Sequence, residues 1–341
     1  MKATLETLCG FTSPRSPAAI LESVRITRDF GYATDSYSSM RINWDGPDCD
    51  IAITARQLQA ALGGLPDDQL IKIVPASGYA TLHAGRRKMK LRTVPIDGMP
   101  EIEVKGELKF KPVGPLADAL KYALVATAKN NIVKPEWCAV LIDQTAQGTH
   151  VVGLDGFRAN CVKVDAEMGD YRSLVPRALA ERIVKLSKFG GEIALTNDRV
   201  VFRKGESEFI GVLQHAGAFP PWQRLVRPDE SKMFKLTGAQ ANILAAAQDA
   251  QRFGMDAIAL TLEKGGLKIS GRARAGDEIE HEIDIDYGGP NIEIGVNPAF
   301  LVDAISSMGG WPSISIPPPA SGLPLLLQLD DRVGIVGAKR L

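Results

Sequence analysis

The sequence has no two cysteines close enough together to hold a metal by local spacing. Its four cysteines, Cys9, Cys49, Cys138 and Cys161, are scattered, and none belongs to a CxxC pair. They read as free thiols of a reducing compartment. The four histidines, His83, His150, His215 and His281, are equally dispersed, so no metal site is expected. Charge of one sign is not in excess. Forty basic residues meet forty acidic ones, which excludes a wholly basic nucleic-acid coat and leaves local patches open. No apolar run approaches the roughly 20 residues of a membrane-crossing helix. The first residues carry Glu6 where a signal peptide needs an apolar stretch. There is no P-loop and no GxSxG. These absences lead us to expect a soluble, cytoplasmic protein without cofactor, membrane partner or enzymatic activity.

What is present is a long internal repeat. One helix-like segment runs Thr54-Ala55-Arg56-Gln57-Leu58-Gln59-Ala60-Ala61-Leu62 and is followed by Gly63-Gly64. A second starts at Val175-Pro176-Arg177, runs to Leu186, and is followed by Gly190-Gly191. A third starts at Asn297-Pro298, runs to Ile305, and is followed by Gly309-Gly310. The starts at 54, 175 and 297 lie 121 and then 122 residues apart. That period is too long for a solenoid repeat of about 20 to 50 residues and fits a whole small domain. The 45% hydrophobic content allows each such domain a core.

Each unit reads as two helices and several antiparallel strands. Leu116, Leu120 and Leu124 fall on one helical face at i, i+4 and i+8. A helix capped by Thr237 presents Ile243, Leu244 and Ala247. The equivalent helix of the first unit should be shortened, to about Leu5–Phe11 with an irregular Pro14–Pro17 stretch. Strand-like runs follow each repeated helix at Ile71–Val74, Glu192–Leu195 and Ser313–Ile316. Turns at Asn197-Asp198 and Lys264-Gly265-Gly266 suit hairpins. Pro317-Pro318-Pro319 is a stiff loop. The expected class is α+β, in three domains at 1–108, 109–229 and 230–341. Asp35 and Asp155 recur at strand turns and are expected to cap them by hydrogen bonds, not to form an acid/base pair.

At these residues the chain resembles a known family, the bacterial DNA polymerase III beta subunit or sliding clamp. Ala33-Thr34-Asp35 with Met40-Arg41-Ile42 resembles a strand turn of its first domain. Leu154-Asp155-Gly156-Phe157-Arg158-Ala159 resembles its Thr-Asp-Gly-His-Arg-Leu. Val175-Pro176-Arg177, then Gly217-Ala218-Phe219-Pro220-Pro221-Trp222, resembles its second domain. Glu293–Leu301 and the terminal Lys339-Arg340-Leu341 resemble its third. The match spans almost the whole chain and rests on the joint order of weak motifs. Phe157 replaces His, Leu154 replaces Thr, Pro135-Glu136 stands where a Tyr pair often occurs, and Gly337-Ala338-Lys339 replaces Met-Pro-Met. Such departures make a divergent clamp and leave chromosomal, phage and plasmid origins open.

The resemblance implies three repeated clamp domains, each two helices packed on antiparallel sheets, closed head to tail as a homodimeric ring. It implies a processivity factor with double-stranded DNA, a replicative polymerase, a clamp loader and other proteins with clamp-binding motifs as partners, acting at the nucleoid. The DNA-binding positions carried over are Arg15, Lys134, Arg177, Arg182, Lys185 and Lys188. In the helix, Leu179, Ile183 and Leu186 form the buried stripe, and the cations lie mostly off it. The peptide-binding positions carried over are Trp137, Leu154, Gly156, Phe157, Arg158, Ala159, Pro220, Arg224, Leu225, Ile335, Gly337, Ala338, Lys339, Arg340 and Leu341. With two methionines replaced, Gly337 and Ala338 should leave space and Lys339 should add charge, favouring a bulkier or more acidic peptide. The alternative is a clamp-derived peptide-binding protein that no longer encircles DNA.

Overall fold

The computed structural model describes residues 1–341 apart from 166–171, 218, 227–232, 237, 319–320 and 341. Repeat one holds α1 (Lys2–Cys9), β1 (Ser23–Thr27), β2 (Phe30–Thr34), β3 (Ser38–Asn43), β4 (Asp50–Thr54), α2 (Ala55–Leu62), β5 (Ile71–Ala76), β6 (Tyr79–Ala84) and β7 (Arg87–Arg92). Repeat two holds β8 (Lys111–Pro112), α3 (Gly114–Ala126), β9 (Ala139–Thr145), β10 (Gly148–Leu154), β11 (Arg158–Val164), β12 (Arg172–Pro176), α4 (Arg177–Ser187), β13 (Glu192–Leu195), β14 (Arg199–Lys204), β15 (Ser207–Val212), β16 (Gln214–His215) and α5 (Gln223–Val226). Repeat three holds β17 (Phe234–Leu236), α6 (Gln240–Arg252), β18 (Ile258–Glu263), β19 (Gly266–Arg272), β20 (Glu278–Asp284), β21 (Ile292–Val296), α7 (Pro298–Ser307), β22 (Ser313–Ile316), β23 (Leu325–Leu329) and β24 (Arg332–Val336).

The repeated helices form where their caps stand. Thr54 accepts from the Gln57 N–H, and Asn297 accepts from the Ala299 and Phe300 N–H groups, each meeting a donor that a helix start leaves unpaired. In α2, Leu58, Ala61 and Leu62 turn inward at helical spacing, giving one buried face. The second repeated helix begins at Arg177. Val175 and Pro176, expected in it, belong instead to β12, where Val175 pairs with Val140. The shortened first helix of repeat one lies at Lys2–Cys9, earlier than expected, and has 8 residues where α3 and α6 have 13. The cap expected at Thr237 lies outside the described residues, as do Ala218 and Pro319 of the quoted runs.

The compact units do not follow the sequence repeats. One unit comprises Met1–Gly114 with Leu186–Leu213. Its eight-stranded antiparallel sheet runs β4-β1-β2-β3-β15-β14-β13-β8, so repeats one and two share it through the β3–β15 pair. A three-stranded sheet runs β5-β6-β7. Leu5, Leu8, Leu58, Leu62, Phe202 and Phe209 are fully buried here, and Phe11 packs on Phe209 at 5.5 Å between ring centroids. Removing one such Leu side chain costs about 2–5 kcal/mol because the cavity closes only partly.

The other unit comprises Pro115–Lys185 with Gln214–Leu341. Its nine-stranded sheet runs β16-β12-β9-β10-β11-β24-β23-β22-β17, shared by repeats two and three through the β11–β24 pair. A four-stranded sheet runs β20-β19-β18-β21. Helices α6 and α7 pack together. Ile243, Ala246, Ala247 and Ala250 form the buried stripe of α6, and Leu244 is only half-buried. Among the described residues no helix is long and apolar enough to cross a membrane.

Candidate functional site

The β10–β11 hairpin turns through Asp155, Gly156 and Phe157. Asp155 Oδ1 accepts from the backbone N–H groups of Phe157 and Arg158, both at 3.0 Å, and its Oδ2 accepts from Arg158 Nε at 2.9 Å. Asp35 does the same in repeat one, accepting from Tyr37 N–H at 3.0 Å and Ser38 N–H at 2.7 Å. Both aspartates are turn caps, as expected. Gly156 sits at φ +89, and a Cβ there would overlap the Trp137 ring. Only glycine allows this tight turn against the indole.

The turn throws Phe157 outward, 69% exposed. Arg158 lies beneath it, its guanidinium 4.4 Å from the Phe300 ring centroid, with Nη1 donating to Asp303 Oδ2 at 2.6 Å. Helix α7 delivers both partners, since Phe300 and Asp303 stand one turn apart and share a face. Phe157 and Phe300 approach to 6.3 Å between centroids. Sequence reasoning named Arg158 but missed Phe300 and Asp303. The three-residue spacing in α7 was the available signal.

The C-terminal segment closes one side. Gly337 N–H donates to the Phe157 carbonyl at 2.7 Å, and Lys339 N–H donates to the Gly295 carbonyl at 2.7 Å. Lys339 is exposed, and its Nζ donates to the Asp256 carbonyl at 2.6 Å, a neutral acceptor that leaves the positive charge in place. Ala338 and Arg340 are exposed. Leu341 lies outside the described residues. Below, Leu154, Ala159 and Ile335 are buried in one core with Phe219 and Trp222, so they form a floor and expose little of their own surface. Trp222 is fixed by donating to Asp143 Oδ2 at 2.7 Å and by packing on His150. That anchor sets α5, where Arg224 is exposed and Leu225 is 41% exposed; Pro220 is half-buried. Trp137 is half-buried, with an Nε1 that has no acceptor among the described residues. The result is an apolar, aromatic surface with guanidinium groups at its border, suited to a short hydrophobic peptide.

The DNA-binding candidates divide. Arg177 is turned inward. Its Nη1 donates to the carbonyls of Leu124 at 3.1 Å and Thr127 at 2.7 Å, and its Nε pairs with Glu181 at 2.9 Å. It caps the C-terminal end of α3, where unpaired carbonyls attract a cation. These bonds hold the Arg177 guanidinium between α3 and its own helix. Arg182 is half-buried; Lys185 and Lys188 are exposed. Arg15 is exposed in a loop at φ +70, and Lys134 is exposed at the start of the 3-10 turn Pro135–Cys138.

Residues 229–316 match the family model described as DNA polymerase III beta subunit, C-terminal domain. The beta sliding clamp of Pseudomonas aeruginosa is 26% identical over 276 residues, 76% of this chain and 73% of its own. That of Haemophilus influenzae is 22% identical over 89% of this chain and 87% of its own. The fold matches crystal structures of the DNA polymerase sliding clamp of Pseudomonas aeruginosa, at TM-score 0.86 and 22% identity, and of Caulobacter crescentus, at TM-score 0.87 and 19% identity. Each likeness covers 100% of this chain and 97% or 98% of the other. The chain is a divergent relative of the bacterial DNA polymerase III beta subunits, the beta sliding clamps, and has their fold along its whole length.

Proposed function

We propose that this protein is a DNA polymerase processivity factor: a sliding clamp that closes head to tail as a homodimer around duplex DNA. It tethers a replicative polymerase, and other replication and repair proteins, through short peptides held beside Phe157, Arg158 and the C-terminal segment. The observation that carries the reading is the sliding-clamp fold over the whole chain. The clamp domains are 1–108, 109–229 and 230–341, each boundary crossed by a shared sheet.

Sliding needs cations that touch phosphates without reading bases. Arg182, Lys185 and Lys188 supply them, with Arg15 and Lys134 on loops. Peptide recognition uses the exposed Phe157, Leu225 and Arg224 and the half-buried Trp137 and Pro220 over the floor of Leu154, Ala159 and Ile335. Gly337, Ala338, Lys339 and Arg340 form its border. No chemistry occurs at these residues. A clamp loader opens the ring, and the protein works at the nucleoid.

A peptide-binding protein without encirclement is the second reading, favoured by the altered tail and by the inward turn of Arg177. Solution mass separates the two. The clamp reading requires a dimer of about twice the 36.7 kDa chain mass at micromolar concentration. A monomer that still binds griselimycin, which is bound to the clamp in one Pseudomonas aeruginosa structure, supports the second.

A further inference from the structure

The turn that exposes Phe157 has a double in repeat one. In both, an aspartate carboxylate accepts from the N–H groups two and three residues on: Tyr37 and Ser38 for Asp35, Phe157 and Arg158 for Asp155. The residue between aspartate and aromatic lies in the left-handed region, Ser36 at φ +73 and Gly156 at φ +89. Ser36 holds this conformation without the freedom of glycine, a strain that gathers at ligand sites. The aromatic residue is thrown outward, Tyr37 to 76% exposure and Phe157 to 69%. Its carbonyl accepts an N–H from the end of the neighbouring strand, Val212 at 2.8 Å for Tyr37 and Gly337 at 2.7 Å for Phe157. A 3-10 turn precedes β1 and β9 alike, with Leu21 third in Ala19–Glu22 and Trp137 third in Pro135–Cys138.

Each turn also has an unpaired donor beside it. Among the described residues, two buried side-chain nitrogens have no hydrogen-bond partner, Trp137 Nε1 and Arg199 Nε. The Trp137 ring abuts Gly156. Arg199 faces Val212 across β14 and β15, and the β3–β15 ladder, last paired at Ser38 and Gly211, sets Val212 opposite Tyr37. Tyr37, Val212 and Arg199 are therefore neighbours in one row on one face of the sheet. In the second joint the same row reads Phe157, Gly337 and Pro324. A buried donor without an acceptor is rare in a folded chain, and a ligand that supplies the acceptor accounts for it.

We infer that the Tyr37 turn is a second docking site, for a short peptide segment that carries an acidic residue beside an apolar one. The inference rests on the peptide reading of the Phe157 turn and extends it to the first joint. The apolar side chain packs on the Tyr37 ring and Val212, and the acidic one pairs with Arg199. Arg199 Nη1 already donates to the Asp198 carbonyl at 2.8 Å and to Asp198 Oδ2 at 3.0 Å. The Nε edge is left for a carboxylate, which a guanidinium takes through two parallel bonds. The Asp198 side chain is 68% exposed and that of Arg199 24%, so their pair is screened by water and lets the guanidinium turn to present that edge. The joints differ in ways that separate their ligands. Pro324 and Gly337 bring no charge where Arg199 and Val212 stand, and Thr34 and Ser39 take the places of Leu154 and Ala159. A wholly apolar ligand favours the Phe157 turn and an acidic one the Tyr37 turn.

The test uses the full chain and two labelled pentapeptides, Ala-Leu-Glu-Leu-Ala and Ala-Leu-Gln-Leu-Ala. Binding is read by fluorescence polarisation with excess griselimycin present to fill the Phe157 site. The Glu peptide should still bind, and the Gln peptide several-fold more weakly. Tyr37→Ala and Arg199→Met should each weaken the Glu peptide by about tenfold in Kd or more and leave griselimycin affinity unchanged. Phe157→Ala should do the reverse. Tyr37 is exposed, so its variant keeps the fold, and circular dichroism checks both. Displacement of the Glu peptide by griselimycin, no saturable binding below about 1 mM, equal affinity of the two peptides, or full affinity in both variants would overturn the second site. Failure of griselimycin to bind the parent chain would instead overturn the reading of the Phe157 site, and the Tyr37 and Arg199 variants would still decide the inference.

Discussion

The backbone N–H of Gly337 donates to the carbonyl of Phe157 at 2.7 Å, tying the C-terminal segment to the turn that exposes the aromatic ring. A Cβ at Gly337 would stand 2.7 Å from that same oxygen, too close for contact without movement. Gly337→Ala should push the segment off the turn and cost about 1–3 kcal/mol locally. Affinity for labelled griselimycin should fall several-fold, with the dimer mass unchanged. Equal affinity would detach the segment from the site.

Arg158 joins the turn to α7. Arg158→Ala removes its stacking on Phe300 and its bonds to Asp155 and Asp303. With the Arg158 side chain only 15% exposed, charged hydrogen bonds of this kind contribute about 1.5–3 kcal/mol. Asp303 is 47% exposed, which moves the expectation to the lower end. Urea unfolding should show the loss, and Arg158→Lys should recover only part of it because lysine cannot stack flat on a ring.

Arg177 and Lys185 should separate in their effects. Arg177→Ala removes the cap of α3 and should lower Tm while leaving the salt dependence of DNA binding unchanged. Replacing Lys185 and Lys188 together by Ala should leave Tm nearly unchanged. It should flatten the slope of log K against log salt by about 0.9 for each phosphate that these lysines neutralise in the parent protein. The reverse pattern would return Arg177 to the DNA surface.

How far the sequence could be read is visible in this helix. Of its expected stripe, Leu179 and Ile183 are buried and Leu186 is half-buried; that stripe followed from local spacing, as did the helix starts near Thr54 and Asn297 and the turns at Asp35 and Asp155. Each depends on neighbours within a few residues. The role of Arg177 depends on carbonyls 53 and 50 residues earlier, and that of Arg158 on a carboxylate 145 residues later. The sharing of sheets between repeats is equally non-local.

Two thiols should be inert in the folded protein. Burial pushes the Cys9 thiol up to about 12 and the Cys49 thiol up to about 11. Both should resist iodoacetamide at pH 8 and react once the protein is unfolded, as read by mass spectrometry. The shift also sets a pH dependence. Below about 9 both states hold the thiol protonated; above it only the unfolded state ionises. Cys9 should therefore lower stability by up to about 1.4 kcal/mol for each pH unit between 9 and 12. Cys9→Ala should flatten that decline.

Topology on DNA tests the central claim most directly. The protein is loaded on nicked circular duplex, washed at high salt, and followed by gel filtration before and after a single restriction cut. Encirclement predicts that it stays with the circle through the wash and leaves when the circle is linearised. Loss during the wash, or retention on the linear product, would contradict a closed ring around DNA.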